Sequence, residues 1–378
     1  MNHNTRCEIH WWVTTVHNVN PMNPKTYFTP GPAAIYPTVA QHTQVAFAEQ
    51  IPSISHRSAA FQAIYQQTYE NIREIFQLPE DYAVLFTGSA TEVWERLLQN
   101  CVAQETFHLV NGAFSRRFYD FALLLQKIPH LHEAVWGQGF DPAHINIARN
   151  VEMICVTHNE TSTGVSMPVA DIHALKDRYP DKLLVVDMVS SAPIPALDFT
   201  KIDAAYFSVQ KAFGLPAGLG VWLVNRRCLE KAQQLESQGQ VTGTYHRLTN
   251  LWKYFEKFQT PSTPNVLGIY LLSKVTQDML HQGMRQIREA TSQKAQLLYN
   301  AIENITGLDA FVQNPAHRSD VVVVANTQGD AAEMIQKAAD HNMVIGSGYG
   351  KHKTTQIRIA NFPATSVGEI EKLINILR

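Results

Sequence analysis

The stretch from Tyr206 to Val224, YFSVQKAFGLPAGLGVWLV, sets Lys211 between two apolar runs, with Gly214, Gly218 and Gly220 close behind it. A surface lysine ordinarily lies in a polar stretch and extends its ammonium into water. Lys211 therefore reads either as a loop lysine at a strand end or as an amine held in a pocket. A desolvated amine sheds its proton near neutral pH and becomes a nucleophile or a base. Asp187 ends a second apolar run, KLLVVDMVSS, 24 residues earlier (211 − 187). A carboxylate there is a turn former, or a buried group that needs a cationic partner. A third stretch, FTGSATEVWERLL (86–98), follows a strand and opens a helix. Its Ser89, Ala90 and Thr91 would present backbone N–H groups to an anion. Ser89 and Glu92 also have the spacing of a capping box.

The elements that must position these residues follow from hydrophobic periodicity. Strands are expected at 83–86, 106–110, 152–158, 182–187, 204–209 and 219–224, with amphipathic helices at 91–102, 114–127 and 170–179. Wholly apolar runs separated by helices predict an α/β fold, a mostly parallel sheet of about seven strands with helices on both faces. A long helical segment over 264–308 then leads to strands at 320–326 and 356–362 and helices at 329–341 and 366–377, a small α+β domain. The expected division is a disordered leader (1–26), a large domain (27–265), and an interdomain helix with a small C-terminal domain (266–378). In such sheets, ligands bind beyond the carboxyl ends of the strands. Asp187 and Lys211 both fall at such ends, one strand apart.

Bulk properties narrow the function. The 31 basic and 33 acidic residues nearly cancel, so no global field attracts nucleic acid or anionic membranes. No apolar run approaches the ~20 residues of a membrane span. Cys7, Cys101, Cys155 and Cys228 are dispersed, which suits a reducing cytoplasm and excludes a zinc ribbon or disulfide framework. The sixteen histidines contain no H-E-x-x-H, and no metal is expected. GSGYGKHK (346–353) lacks Walker spacing and reads as a flexible hairpin over the site.

A lysine for an aldehyde and an aspartate for a protonated pyridine-type nitrogen are the fixed points of pyridoxal 5′-phosphate binding. Asp187-x-x-Ser190-Ser191 followed by SVQKAFGLPAGLGVWLV resembles the class V, fold-type-I aminotransferases, nearest to their phosphoserine aminotransferase branch. YFTPGPAAIYP (27–37), SISHRSAAF (53–61), THNETSTG (157–164), QTPSTPN (259–265) and IRIANFP (357–363) occur in that family's order. The resemblance covers about 27 to 378.

It implies that Lys211 holds the cofactor aldehyde as a Schiff base and that Asp187 pairs with the ring nitrogen. Phe114 stands where the branch places a ring-stacking tryptophan, Thr161 meets the phenolic oxygen, and Gln210 contacts the phosphate. Ser89 and Ala90 bind the same phosphate, helped by Gln259 and Thr260 from a neighbouring subunit. Arg358 holds the substrate α-carboxylate, for which its planar fork is suited. His56 and Arg57 reach a substrate phosphate across a homodimer interface, near Lys351 and His352. The branch has His-Arg where Lys351-His352 stands, and arginine where Thr91 stands.

The implied reaction converts O-phosphoserine and 2-oxoglutarate to 3-phosphohydroxypyruvate and glutamate, a step of serine biosynthesis. An alanine/serine–glyoxylate or –pyruvate aminotransferase is one alternative. A non-catalytic relative that only binds is another.

Overall fold

The computed structural model describes residues 24–378. Of the expected leader, residues 1–23 lie outside the described residues. Thr26, expected to close that leader, already lies in β1 (Thr26–Phe28). Four strands of the main sheet follow: β2 (Tyr82–Thr87), β3 (Glu105–Val110), β4 (Ile128–Glu133) and β5 (Met153–Thr157). A two-stranded ribbon, β6 (Asn159–Glu160) and β7 (Val165–Ser166), precedes β8 (Leu183–Asp187), β9 (Ala204–Ser208) and β10 (Gly220–Asn225). The seven-stranded sheet runs in the order β2-β10-β9-β8-β5-β3-β4. Only β10 is antiparallel to its neighbours.

Every residue of β2 is buried, because the sheet is covered on both faces. Tyr82, Val84 and Phe86 enter one core cluster with Phe61, Tyr65 and Ile72 of the helix Ala59–Phe76. Ala83 and Leu85 enter the other with Val93, Trp94, Leu97 and Leu98 of the helix Ala90–Cys101. Each such side chain contributes about 1.5–3 kcal/mol on burial. The apolar residues of Ala90–Cys101 recur at helical spacing, so one stripe faces the sheet.

The second sheet has the order β1-β13-β14-β12-β11. Its later strands are β11 (Leu308–Ala310), β12 (Val322–Thr327), β13 (Met343–Ser347) and β14 (Gln356–Ala360). β1 pairs parallel with β13, Thr26 against Met343. The sequence reading sets a leader up to 26 and opens the large domain at 27; the structure instead places 26–28 in the second sheet, as a parallel edge strand. Two more differences have local causes. β4 and β13 are absent from the expected strands, since β4 is a half-exposed edge reading IPHLHE and β13 is short and ends in Gly-Ser. The long connecting helix is two helices, Val266–Gln282 and Met284–Asn304, broken at Gly283 with φ +89°. No helix among the described residues is long and apolar enough to cross a membrane.

Candidate active site

Lys211 follows β9 by three residues and Asp187 ends the adjacent parallel strand β8. Both sit at the carboxyl edge of the main sheet, as the apolar runs predict. The Lys211 Nζ donates to the Pro30 carbonyl at 3.0 Å and lies 5.8 Å from the centre of the Phe114 ring. Burial lowers the Lys211 amine to about 8, against the opposing pull of Asp187; Arg358 adds to the lowering. Its neighbour Gln210 is anchored through its carbonyl, which accepts the Ala33 N–H at 2.9 Å. The Gln210 side-chain oxygen is buried without a partner.

Asp187 is buried and accepts two neutral donors, the Val189 N–H at 2.9 Å and the Trp94 indole N–H at 3.2 Å. Burial raises its carboxyl to about 6, and the two hydrogen bonds work against that rise. Trp94 carries no signal in sequence beyond its place on the apolar stripe of a helix. Its indole meets Asp187 only because that helix lies across β9 and β10, beside the end of β8.

Ser89 caps the helix Ala90–Cys101, its hydroxyl accepting the Glu92 N–H at 3.4 Å. Glu92 reaches back to Gly88 N–H at 3.0 Å, one residue short of a full capping box. The Ala90 N–H donates to Ser208 Oγ at 3.1 Å, so that donor is already engaged. A Cβ on Gly220 would lie 2.4 Å from the Ser89 carbonyl carbon, so glycine there lets β10 approach the helix start.

The ribbon β6–β7 presents Glu160 and Thr161. Glu160 is fully buried and accepts Phe114 N–H at 3.2 Å, Ser115 N–H and Oγ at 2.9 Å each, Ser162 N–H at 3.1 Å and Ser162 Oγ at 2.6 Å. A carboxylate on the first N–H groups of the helix Ala113–Leu124 satisfies donors that have no partner within the helix. It thereby ties Phe114 to the loop that carries Thr161. The sequence reading missed Glu160; its position before Thr161 in THNETSTG was the only available signal. A Cβ on Gly112 would sit 2.3 Å from the Glu160 Cγ. Gly112→Ala is therefore expected to destabilise the fold by about 1–3 kcal/mol. A thermal denaturation curve matching wild type would contradict that contact.

Arg358, on β14, donates from Nε to Ser347 carbonyl at 2.7 Å and from Nη1 to Thr161 carbonyl at 3.3 Å. Its guanidinium carbon is 5.5 Å from the Tyr349 ring centre, and that ring is 5.4 Å from Phe114. Arg117 donates to the Tyr349 hydroxyl at 3.2 Å. Lys211, Phe114, Thr161 and Arg358 thus form one cluster, with Asp187 at the adjoining strand end.

The other expected residues lie apart from it. Arg57 donates to Gln259 Oε1 at 3.2 Å, Thr260 carbonyl at 2.7 Å and Pro261 carbonyl at 3.2 Å, and packs 4.7 Å over the Tyr254 ring. His56 is 3.4 Å from the Thr263 hydroxyl. Gln259 and Thr260 face Thr87 and Gly88 across a cavity of about 240 Å³. Lys351 and His352 pack against Trp136, with His352 also 5.6 Å from Phe311.

Comparison with known proteins is consistent with this geometry. The family model for class V aminotransferases matches residues 130–366. A crystal structure of a phosphoserine aminotransferase from Cytophaga hutchinsonii superposes with a TM-score of 0.93 at 48% identity, covering 94% of this chain and 99% of that one. A phosphoserine aminotransferase of Rhodococcus opacus is 28% identical over 350 residues, 91% of each chain. A serine–glyoxylate aminotransferase of Methylorubrum extorquens is also 28% identical, over 92% of this chain and 87% of its own. The lysine and the carboxylate at the ends of β9 and β8, the ring of Phe114 and the arginine of β14 lie in a chain that belongs to the class V aminotransferase family.

Proposed function

We propose that this enzyme exchanges an amino group between O-phosphoserine and 2-oxoglutarate. The observation that carries the reading is the 48% identity to the Cytophaga hutchinsonii phosphoserine aminotransferase, over nearly the whole of both chains. Membership of the family makes the protein a pyridoxal-phosphate-dependent aminotransferase acting on amino and keto acids.

The residues fit that cofactor. Asp187 has neutral donors on both oxygens and no cation, Gln210 Oε1 is buried without a partner, and Lys211 Nζ meets only a carbonyl. When bound, pyridoxal phosphate supplies an aldehyde that condenses with amines and a ring that draws electrons from the substrate Cα. Lys211 would hold that aldehyde and Asp187 the protonated ring nitrogen. Phe114 would cover the ring face and Thr161 its phenolic edge. Ser89, Ala90 and Gln210 would hold the phosphate, with Gln259 and Thr260 from a second subunit. Lys211 Nζ would also be the base that takes the proton from the substrate Cα. An amine near 8 is neutral in roughly a quarter of molecules at pH 7.5, enough to serve as a base. Arg358 would orient the α-carboxylate by its free Nη2.

His56 and Arg57 touch the 259–263 segment and not the Lys211 cluster of their own chain. That separation supports a homodimer in which both segments, with Lys351 and His352 nearby, complete the partner's site. Three free, buried cysteines, Cys101, Cys155 and Cys228, suit a cytoplasmic location.

The test is a substrate panel on the purified enzyme with 2-oxoglutarate as acceptor. O-phosphoserine is expected to exceed alanine and serine in kcat/KM by at least about a hundredfold. Preference for serine or alanine with glyoxylate would assign the activity named for the Methylorubrum extorquens relative instead.

A further inference from the structure

Two consecutive arginines open the helix Ala113–Leu124, and the structure treats them differently. Arg116 is paired with Glu133 at 2.6 Å. Arg117, exposed, has no carboxylate within 4.0 Å among the described residues. Its guanidinium carbon lies 5.7 Å from the Phe114 ring centre, and its Nη2 is held only by the Tyr349 hydroxyl. The i, i+3 spacing of Phe114 and Arg117 puts both on one face of the helix. Lys211 Nζ lies at nearly the same distance, 5.8 Å, from the same ring centre. Arg358 occupies the ring of the same tyrosine, and its two hydrogen bonds also go to carbonyls rather than to an acid. Tyr349 therefore bridges two guanidinium groups that lack anionic partners, beside the reactive lysine.

We propose that Arg117 is a further reader of the second anionic group of the substrate, alongside the His56–Arg57 pair expected across the homodimer interface, while Arg358 holds the α-carboxylate. This rests on the reading of the enzyme as a transaminase of O-phosphoserine. The chemistry favours a shared reader. O-phosphoserine and glutamate alternate in one site, and each carries a second anion beyond Cα, a phosphate in one and a carboxylate in the other. Both are planar-fork or fork-like targets for a guanidinium. The phenol hydroxyl is a weak, neutral acceptor, so an anion outcompetes it without breaking an ion pair. Arg117 thus stands ready at no cost of charge separation. Among the described residues no carboxylate pairs with it to compete, whereas Arg116 beside it is taken by Glu133.

The experiment compares wild-type holoenzyme with Arg117→Met and Arg117→Lys, using O-phosphoserine, glutamate and alanine as separate amino donors. Arg117→Met is expected to raise KM for both dianionic donors by about ten- to a hundredfold, the loss of one charge-assisted contact. Its effect on alanine should be at least tenfold smaller, and Arg117→Lys should recover part of the loss. Equal losses on all three donors would show a structural role only. An unchanged KM for the two dianions would also overturn the proposal. If wild-type enzyme ignores O-phosphoserine, the substrate reading fails by itself, and glutamate against alanine still decides the role of Arg117.

Discussion

Lys211→Ala is expected to lower kcat by at least about a thousandfold and to remove the covalent link to the cofactor. The amine lies just beyond the carboxyl end of β9, and burial holds it near 8. Alanine keeps the backbone and the glycines that follow, so the fold should persist. Two readouts check the expectation: turnover with the preferred donor, and the absorbance that borohydride-reduced holoprotein retains after gel filtration in denaturant. Wild-type turnover, or a cofactor chromophore that stays attached through denaturation, would remove Lys211 from its assigned role.

Asp187→Asn should produce opposite effects on activity and stability. Loss of the charge opposite the ring nitrogen is expected to cost on the order of a hundred- to a thousandfold in kcat. The cofactor-free protein should become more stable at pH 8. Burial raises the Asp187 carboxyl from its ordinary 3.8 to about 6, so the folded chain binds that proton more tightly than the unfolded chain does. Stability therefore falls as pH rises from about 4 to 6 and stays reduced above it, by about 3 kcal/mol. Asparagine carries no charge to bury. Its amide nitrogen cannot accept, so it loses one of the two hydrogen bonds from Val189 and Trp94, which costs about 1–2 kcal/mol. A gain of about 1–2 kcal/mol should remain at pH 8 and vanish near pH 5. Thermal denaturation of cofactor-free protein across that range measures it; a gap that widens toward acid would reverse the assigned sign.

The buried strands were legible because both faces of the main sheet are covered, which writes them as continuous apolar runs such as LLVVD. Edge strands escape that signal. β4 has one neighbour and alternates exposure, and its second residue is a proline. The helix break at Gly283 was hidden by helical periodicity on both sides. Within the site, Lys211 and Asp187 could be read because each follows or ends an apolar run, and motif order pointed to Phe114, Thr161 and Arg358, which the fold gathers around Lys211. Glu160, Trp94, Arg117 and Tyr349 could not, because their meaning lies in partners brought together by folding. Glu160 meets a helix start 45 residues away, and Tyr349 meets Arg117 across 232 residues. No local pattern encodes such a meeting.

β1 has a consequence for how the chain is made. Its partner β13 lies 317 residues downstream (343 − 26), so ribosomal synthesis delivers one strand long before the other. At 5–20 residues per second, Thr26–Phe28 waits roughly 15–60 s for its partner to emerge. Pro30, whose carbonyl receives the Lys211 amine, lies two residues beyond that strand. The pairing of β1 thus waits for one of the last strands to emerge, two residues before the carbonyl that braces the reactive amine, and a nascent chain released before about residue 345 would lack it.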